Sequence, residues 1–424
     1  MRPSLRAALW FTSAVPRPGA LRVSSLVTPT GPAPRRGPDL GEPIVVRDAG
    51  LAWDAGGTLT YAGPAGGLPP GGPEPEAVPA VAVPGFVDCH THLPFVGWRA
   101  DEWEARLAGQ TYRDQHGEGG IGRSARMLAQ ATDDGVLEFS RRLLHEMAAT
   151  GTTGVELKTG YGLSVESELR QARLARRLSE EAGGPTSVTL LACHAVPAGM
   201  EREAWVRAAC EELIPAVAAE GLADAVDVYV EDIAFTTDDL RRVASAARVH
   251  GIRAVRCHAD QLGPSGAAEA AVRVEARAAD HLNHVSEAGI AALAGSGTVA
   301  VLLPASTFSL RASPAPARAL VEAGAGVALA TDLNPGTSPV SSMPETIAMA
   351  CTLYGLTPLE ALTAATLNAA TALGLDRTIG SLEPGKRADV ALLDVGDVRE
   401  VPYRPGRNPV VATFVAGEPV VRRS

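Results

Sequence analysis

The stretch Pro84-Gly85-Phe86-Val87-Asp88-Cys89-His90-Thr91-His92 decides the fold, because a short apolar strand runs directly into an H-x-H pair. Residues two apart on a strand point to the same face, so His90 and His92 can converge while Cys89 faces away. The pair alone is common enough to be coincidence. Its place at the carboxyl end of a strand favours a metal site, because the active sites of (β/α)8 barrels gather there.

The chain downstream alternates strand-like and helix-like runs. Thr236 and Asp239 form a capping-box pattern before a helix that leads to His250. Alternation of this kind predicts a (β/α)8 TIM barrel, with a doubly wound open sheet as the alternative. The eight predicted strands are Gly85–His90, Gly154–Lys158, Ser187–His194, Ala225–Val230, Ile252–His258, Asp280–His284, Thr298–Leu303 and Gly326–Thr331.

Both ends of the chain differ from the middle. Residues 20–83 and the part after Gly380 combine many Gly and Pro residues with short β-like runs. We therefore expect one small β-sandwich-like domain built from both termini. The predicted organisation is a flexible leader over residues 1–19, sheet segments at 20–83 and 377–424, and a metal-dependent barrel at 84–376.

Composition narrows the range of partners and compartments. A net charge of −10 argues against nucleic acid and anionic membranes as partners. The five cysteines are widely spaced without a C-x-x-C pair, which favours reduced thiols and a cytoplasmic location. No apolar stretch approaches the roughly 18 residues of a membrane span. A small-molecule substrate is the remaining expectation.

Further candidate ligands end later strands of the predicted barrel. His258 ends the fifth strand and Asp332 the eighth, and either one alone is equally typical of a structural polar residue. Together with the H-x-H pair they offer three imidazoles and one carboxylate, a set that suits Zn2+ or Fe2+. Such a metal generates hydroxide near neutral pH. His281 follows on the sixth strand, where an imidazole that is not a ligand can transfer protons.

The opening stretch resembles the metal-site signature of the amidohydrolase superfamily. Other segments resemble its imidazolonepropionase family, and the resemblance runs from about residue 20 to the C-terminus. The superfamily signature is unspecific about substrate. The segments that contain Gly160-Tyr161-Gly162-Leu163 and Asp332-Leu333-Asn334-Pro335-Gly336-Thr337-Ser338-Pro339 are specific when they occur together. The segments are Arg106-Leu107-Ala108-Gly109 with Tyr112, His194-Ala195-Val196-Pro197, Val155-Glu156-Leu157-Lys158-Thr159-Gly160-Tyr161-Gly162-Leu163, and Thr331-Asp332-Leu333-Asn334-Pro335-Gly336-Thr337-Ser338-Pro339.

The resemblance implies an enzyme of histidine degradation that hydrolyses the ring C–N bond of 4-imidazolone-5-propanoate, an anionic ring substrate, to N-formimidoyl-L-glutamate. It implies one Zn2+ or Fe2+/Fe3+ ion per chain, held by His90, His92, His258 and Asp332. It assigns the acid/base role to His281, with Gln261 and Asp332 as its catalytic neighbours. It places substrate contacts at Arg99, Tyr161, His194 and Gln261, and product contacts at Asn334, Gly336 and Thr337. Dimers are common in that family, so a homodimer is also expected.

Several of these contacts keep a plainer interpretation. Arg99 offers a bidentate fork to a carboxylate, but it is also typical of a surface arginine at a helix start. Tyr161 is also typical of a turn aromatic that covers the core. Asn334, followed by Pro-Gly, is also typical of a tight turn.

Position 261 separates two activities on this scaffold. Related ring deaminases carry a proton-shuttling glutamate three residues after the fifth-strand histidine, whereas the Gln261 amide does not titrate. Members of the imidazolonepropionase family have either residue, so the deaminase interpretation is weakened and the family resemblance survives. Another cyclic amidohydrolase or ring deaminase stays open as an alternative, and so does a barrel without catalytic activity.

The scarcity of lysine bears on the number of metal ions. The chain has two lysines, Lys158 at the end of the second strand and Lys386 near the C-terminus. Dinuclear amidohydrolases bridge their metals with a carboxylated lysine on the fourth strand, and the segment Val226–Val230 has none. The sequence therefore predicts a single-metal site.

Overall fold

The structure is a computed structural model that describes residues 16–115 and 119–423. Most of the leader predicted over residues 1–19 lies outside the described residues. The chain first forms four strands of a peripheral sheet. They are β1 (Gly19–Thr28), β2 (Ile44–Trp53), β3 (Leu59–Pro64) and β4 (Glu76–Pro84).

The central sheet contains eight parallel strands in chain order, and each of the eight predicted strands is present. They are β5 (Phe86–Asp88), β6 (Thr152–Lys158), β7 (Thr186–Cys193), β8 (Ala225–Val230), β9 (Ala254–Ala259), β10 (Ala278–His281), β11 (Val299–Leu302) and β12 (Val327–Leu329). The first and last strands meet just beyond their carboxyl ends. Asp332 donates its amide to the His90 carbonyl at 3.0 Å, and His92 donates to the Leu333 carbonyl at 2.9 Å. The predicted (β/α)8 barrel is therefore confirmed.

Helices separate the barrel strands and cover them from outside. They are α1 (Ala100–Leu107), α2 (Gly120–Gln130), α3 (Asp133–Ala149), α4 (Val165–Glu181), α5 (Arg202–Ala208), α6 (Ile214–Ala219), α7 (Thr237–Val249), α8 (Ala267–Arg273), α9 (Glu287–Ala294), α10 (Pro304–Leu310), α11 (Ala317–Glu322), α12 (Met343–Tyr354), α13 (Pro358–Ala364), α14 (Leu367–Leu373) and α15 (Glu400–Tyr403). The predicted capping box begins α7, where Thr236 and Asp239 satisfy each other's backbone amides. No helix among the described residues is long and apolar enough to cross a bilayer.

The two ends of the chain build one small β domain, as predicted, and its strands form a single seven-stranded sheet. The C-terminal strands are β13 (Val390–Leu393), β14 (Val410–Val415) and β15 (Glu418–Arg422), and the sheet order is β15-β14-β13-β4-β1-β2-β3. The N-terminal and C-terminal parts join where β13 pairs antiparallel with β4. Because only Gly85 separates the end of β4 from the start of β5, the position of β4 in the sheet fixes where the first barrel strand begins. The domain boundaries at 83/84 and 376/377 stay predictions.

An apolar cluster within this sheet joins residues from both ends of the chain. Phe414 on β14 and Trp53 on β2 lie with ring centroids 6.2 Å apart, and they pack with Leu51 and Leu392. Phe414 is 2% exposed. Burial of a side chain of this size stabilises the fold by about 1.5–3 kcal/mol relative to its exposure to water. The N-terminal and C-terminal segments thus depend on each other for their core.

Replacement of Phe414 by Ala is expected to lower the free energy of unfolding by about 3–5 kcal/mol, because it leaves a cavity between the two ends of the chain. Chemical denaturation measures the change. The control is Tyr403→Ala, because the Tyr403 side chain is 84% exposed. Its loss is expected to stay within about 0.5 kcal/mol. Equal losses in the two variants would contradict a shared core in this sheet.

Candidate active site

A polar cavity lies at the carboxyl ends of the barrel strands, the end at which barrel enzymes place their catalytic residues. Its free volume is about 20 Å³, room for about one water molecule. The cavity is lined by His92, Arg99, Tyr112, Ile121, Tyr161, His194, Tyr229, His258, Gln261, His281, Asp332, Asn334 and Thr337.

The predicted metal ligands lie together at this end of the barrel. His90, His92 and Asp332 have candidate ligand atoms within 4.8 Å of one another, and a second such group joins His90 to His258 and His281. Asp332 Oδ1 lies 3.3 Å from His92 Nε2 and 3.6 Å from His90 Nε2. The rings of His90 and His258 have centroids 4.6 Å apart. Strands one, five and eight thus bring the predicted ligands to one point.

The ligand atoms at this point lack protein partners. His90 Nε2, His258 Nε2 and Asp332 Oδ1 are buried and have no hydrogen-bond partner among the described residues. Unpartnered buried polar atoms destabilise a folded protein unless they serve a ligand. Imidazole nitrogens with one carboxylate oxygen form a donor set that suits Zn2+ or Fe2+. The residues present therefore fit a metal ion.

Two residues of the site have strained backbone conformations. Asp332 has φ +58° and His281 has φ +77°, in the left-handed region that side-chain-bearing residues rarely adopt. Strain of this kind persists only where the surrounding structure enforces it. His281 ends β10, and Asp332 lies three residues after the end of β12. The strained turn therefore directs each side chain into the cavity instead of along the barrel wall.

Two buried carboxylates lie directly behind the imidazoles. Asp280 Oδ2 lies 3.0 Å from His90 Nδ1, and Asp227 Oδ2 lies 3.0 Å from His258 Nδ1. A carboxylate in this position fixes the orientation of the ring and leaves Nε2 free to bind a metal. These contacts explain why the Nε2 atoms point to the centre of the site.

Two cations compensate the carboxylates. Lys158 Nζ donates to Asp227 Oδ2 at 2.5 Å and lies 3.4 Å from Glu156 Oε2. Arg256 Nη2 lies 3.0 Å from both oxygens of Asp280. All five side chains are at most 2% exposed. We call Glu156, Lys158, Asp227, Arg256 and Asp280 the buried charge network.

Two members of the network, Lys158 and Asp227, stay charged despite burial, whereas burial raises the pKa of Asp280 to about 7. Burial by itself raises the pKa of Asp227, but His258 and Lys158 outweigh it and hold the pKa of that carboxyl well below its usual range. Burial lowers the pKa of Lys158, but Asp227 and Glu156 outweigh it and the pKa of the ammonium is raised. An ammonium and a carboxylate are therefore both present beneath the site at neutral pH.

The loop that carries Tyr161 is held by the following helix. Glu168 on α4 accepts the amides of Gly160, Gly162 and Leu163, and Gln171 accepts the Tyr161 amide at 2.9 Å. A Cβ at Gly162 would lie 2.3 Å from the Glu168 nitrogen, so a side chain there would push the loop away from the helix. Close packing against α4 therefore requires glycine at position 162 of the Gly-Tyr-Gly-Leu motif, and this packing holds Tyr161 at the cavity.

Arg99 reaches the cavity because Gly336 makes room for it. A Cβ at Gly336 would lie 1.8 Å from Arg99 Nη2. Asn334 holds this turn, because its Oδ1 accepts the amides of Gly336 and Thr337 at 2.9 and 2.7 Å. Arg99 is 3% exposed and its Nε has no hydrogen-bond partner among the described residues. The plainer interpretation of Arg99 as a surface residue is therefore wrong.

The remaining predicted contacts lie on the same walls. His194 Nδ1 donates to the Gly160 carbonyl at 3.0 Å, because a carbonyl oxygen can only accept. The other ring nitrogen of His194 is then an acceptor. Gln261 donates its backbone amide to Glu231 Oε1 at 2.5 Å, which fixes the loop after β9. Of the predicted site residues, His90 lies beneath the cavity and Gly336 behind Arg99, while the others line it.

Other cavities lie outside this centre. One of about 380 Å³, here called the outer cavity, shares Tyr112 and Gln261 with the polar cavity. A groove of about 690 Å³ next to α15 contains Cys351 and Tyr403 and none of the predicted site residues. The predicted site residues therefore gather at the smaller polar cavity.

Residues 81–420 match the model of the amidohydrolase family. The imidazolonepropionases of Cupriavidus taiwanensis and Deinococcus radiodurans are each 43% identical to this chain. The first similarity covers 90% of this chain and 92% of the relative, and the second covers 93% and 97%. That of Geobacillus kaustophilus is 39% identical and covers 90% and 92%. The chain belongs to the imidazolonepropionase family.

Similarity to solved structures supports the fold of this member of the imidazolonepropionase family. An adenosine deaminase from Xanthomonas campestris with bound zinc has a TM-score of 0.69 at 20% identity, with 95% of this chain and 93% of that chain covered. A guanine deaminase from C. acetobutylicum has a TM-score of 0.69 at 15% identity, with 96% and 100% covered. At these identities the likeness establishes the shared barrel and leaves the substrate open.

Sequence reasoning missed the residues behind the metal ligands and assigned no role to three residues of the cavity wall, Tyr112, Ile121 and Tyr229. Asp227 and Tyr229 alternate on β8 in the same way as the two histidines after β5, so both face the barrel interior. That spacing was a signal available in the sequence. Asp280 directly precedes His281, and only the completed barrel shows that it reaches His90 on another strand.

Replacement of Lys158 by Met is expected to lower the free energy of unfolding by about 3–5 kcal/mol and to reduce the metal content, because it leaves a buried carboxylate uncompensated. Denaturation and elemental analysis measure the two effects. The control is the other lysine: Lys386→Met removes a cation 3.6 Å from Glu383 in a partly exposed pair. That variant is expected to lose at most about 1 kcal/mol and no metal. Metal content that is unchanged in Lys158→Met would contradict the role of the network.

Proposed function

We propose that this protein hydrolyses the ring C–N bond of 4-imidazolone-5-propanoate to give N-formimidoyl-L-glutamate in histidine degradation. The observation that carries the proposal is similarity to proteins named imidazolonepropionase over nine-tenths of the chain. The cavity supports it, because a cationic side chain and a cluster of imidazoles face one space. These are the groups that an anionic ring amide requires.

The proposed metal is one Zn2+ or Fe2+/Fe3+ ion per chain, held by His90, His92, His258 and Asp332. When bound, it supplies a Lewis acid for the ring carbonyl and lowers the pKa of water to about 7. The buried charge network supports these ligands from behind by fixing His90 and His258. The absence of a lysine from β8 favours one ion over a carbamate-bridged pair.

The protein side chains bind and orient the substrate. Arg99 binds the propionate carboxylate through two parallel hydrogen bonds, since its guanidinium is buried and incompletely paired. Tyr161 and His194 hold the ring against the metal ligands, and the Gln261 amide donates to or accepts from the ring. Asn334, Gly336 and Thr337 form the turn that receives the product.

His281 transfers the proton. Hydrolysis adds water to the ring carbonyl carbon and breaks the C–N bond, so one proton must pass from the water to the departing ring nitrogen. The His281 and His258 rings have centroids 5.2 Å apart, which places His281 beside the metal ligands. Burial lowers the pKa of His281 to about 3, so the imidazole is neutral before the reaction begins.

A ring deaminase is the alternative on this scaffold. Gln261 disfavours it, because an amide cannot shuttle protons as a carboxylate does.

We also propose a cytoplasmic location, which the five unpaired cysteines support. A homodimer is proposed from family resemblance, with no nucleic-acid or membrane partner.

Purified protein loaded with Zn2+ or Fe2+ is expected to consume 4-imidazolone-5-propanoate, measured as loss of ring absorbance and gain of N-formimidoyl-L-glutamate. Removal of the metal by a chelator is expected to abolish turnover, and restored metal to return it. Ammonia release from purine or pyrimidine rings serves as the comparison. No turnover of the imidazolone at full metal occupancy would refute the proposal. Absence of about one metal per chain would favour a barrel without catalytic activity.

His281→Ala is expected to keep its metal and to lower kcat by about 100- to 10,000-fold, because proton transfer to the leaving nitrogen is lost. Elemental analysis and steady-state kinetics measure the two effects. His284→Ala is the control, because His284 lies three residues on and lines the outer cavity only. It is expected to retain kcat within about threefold. Full activity of His281→Ala would rule out the proton-transfer role.

A further inference from the structure

Three of the six tyrosines of the chain line the polar cavity: Tyr112, Tyr161 and Tyr229. Tyr229 belongs to β8, where Asp227 two residues earlier faces the barrel interior and lies 3.0 Å from His258 Nδ1. Strand alternation gives Tyr229 the same face, one step nearer the mouth of the barrel. Its side chain therefore belongs to the wall of the site.

The hydroxyl of Tyr229 is buried without a partner. Tyr229 is 2% exposed, and its phenol oxygen has no hydrogen-bond partner among the described residues. A buried tyrosine hydroxyl normally finds a partner, and an unsatisfied one destabilises the folded state. Phenylalanine would fill the same space without this loss. The buried hydroxyl is explained if a ligand that enters the cavity forms a hydrogen bond with it.

The ring of Tyr229 lies between two residues with proposed roles. Its centroid is 5.7 Å from that of His258, a proposed metal ligand, and 6.1 Å from that of His194, a proposed substrate contact. Arg99 enters from the other side of the barrel, because its amide donates to Pro335 in the turn after β12. A substrate with its carboxylate on Arg99 would thus extend its ring toward β8.

We propose that Tyr229 is a substrate-binding residue whose phenol hydroxyl hydrogen-bonds the ring edge of the bound imidazolone. This inference rests on the proposed function, and it adds a ring-recognition residue opposite the carboxylate-binding arginine. Burial raises the pKa of Tyr229 well above its usual value, so the phenol stays neutral and can donate as well as accept. A neutral hydroxyl suits a ring that presents both a carbonyl and nitrogen atoms.

The test measures ring binding apart from turnover. Calorimetric titration of the metal-loaded protein compares two probes, imidazole-4-propanoate, which has ring and tail, and butanoate, which has only the tail. Tyr229→Phe is expected to weaken binding of imidazole-4-propanoate about 3- to 15-fold, as for one lost hydrogen bond, and to leave butanoate binding unchanged. Thermal unfolding and metal content of the variant verify that its fold and site are intact.

The control is Tyr354→Phe, since the buried Tyr354 hydroxyl bonds Thr307 at 2.7 Å outside the cavity lining. It is expected to bind both probes as the unaltered protein does. Equal binding of imidazole-4-propanoate by the unaltered protein and Tyr229→Phe would overturn the inference, and so would equal weakening of both probes. Failure of the unaltered protein to bind that probe would also overturn it. If ring binding depends on Tyr229 but the imidazolone is not turned over, the inference holds and the proposed function fails.

Discussion

The buried charge network is the constraint on which the site depends. Two imidazoles can present Nε2 to a common point only if their other nitrogens are oriented. Asp280 hydrogen-bonds His90 Nδ1 at 3.0 Å, and Asp227 Oδ2 lies 3.0 Å from His258 Nδ1. Carboxylates buried this deeply need cations, because isolated charges in the interior are strongly unfavourable. Arg256 and Lys158 supply them. The positions of the predicted metal ligands His90 and His258 therefore follow from ion pairs that lie outside the cavity lining.

A second constraint is closure of the barrel between its first and last strands. Asp88 on β5 accepts the Thr331 hydroxyl at 2.5 Å and its amide at 3.1 Å, which ties the first strand to the segment after the eighth. This contact brings Asp332 to the H-x-H pair. The same segment continues into the turn whose Gly336 admits Arg99. One strand junction therefore positions both Asp332, a predicted metal ligand, and Arg99, the predicted carboxylate contact.

The sequence predicted the parts of the structure that repeat or follow a local period. The eight strands were visible because each is a short apolar run between helices, and His90, His258 and Asp332 were visible because each ends or follows one. Glu168 was not visible as a support for the loop of Tyr161, because its contacts are with backbone amides. The pairings of the charge network join strands separated by long stretches of sequence. No local period encodes which strand will contribute the partner.

The placement of lysine bears on the proposal of a single metal ion. Asp227, Asp280 and His258 offer ligand atoms within 4.8 Å of one another, a grouping that can hold a metal ion. The Lys158 ammonium lies 2.5 Å from one of these carboxylates and 3.9 Å from the other, so it supplies the positive charge itself. Both carboxylates then remain available to orient the imidazoles. A lysine on the second strand that faces an aspartate on the fourth thus favours a single metal ion at the mouth of the barrel. The lysine ammonium takes the place of a second ion beneath it.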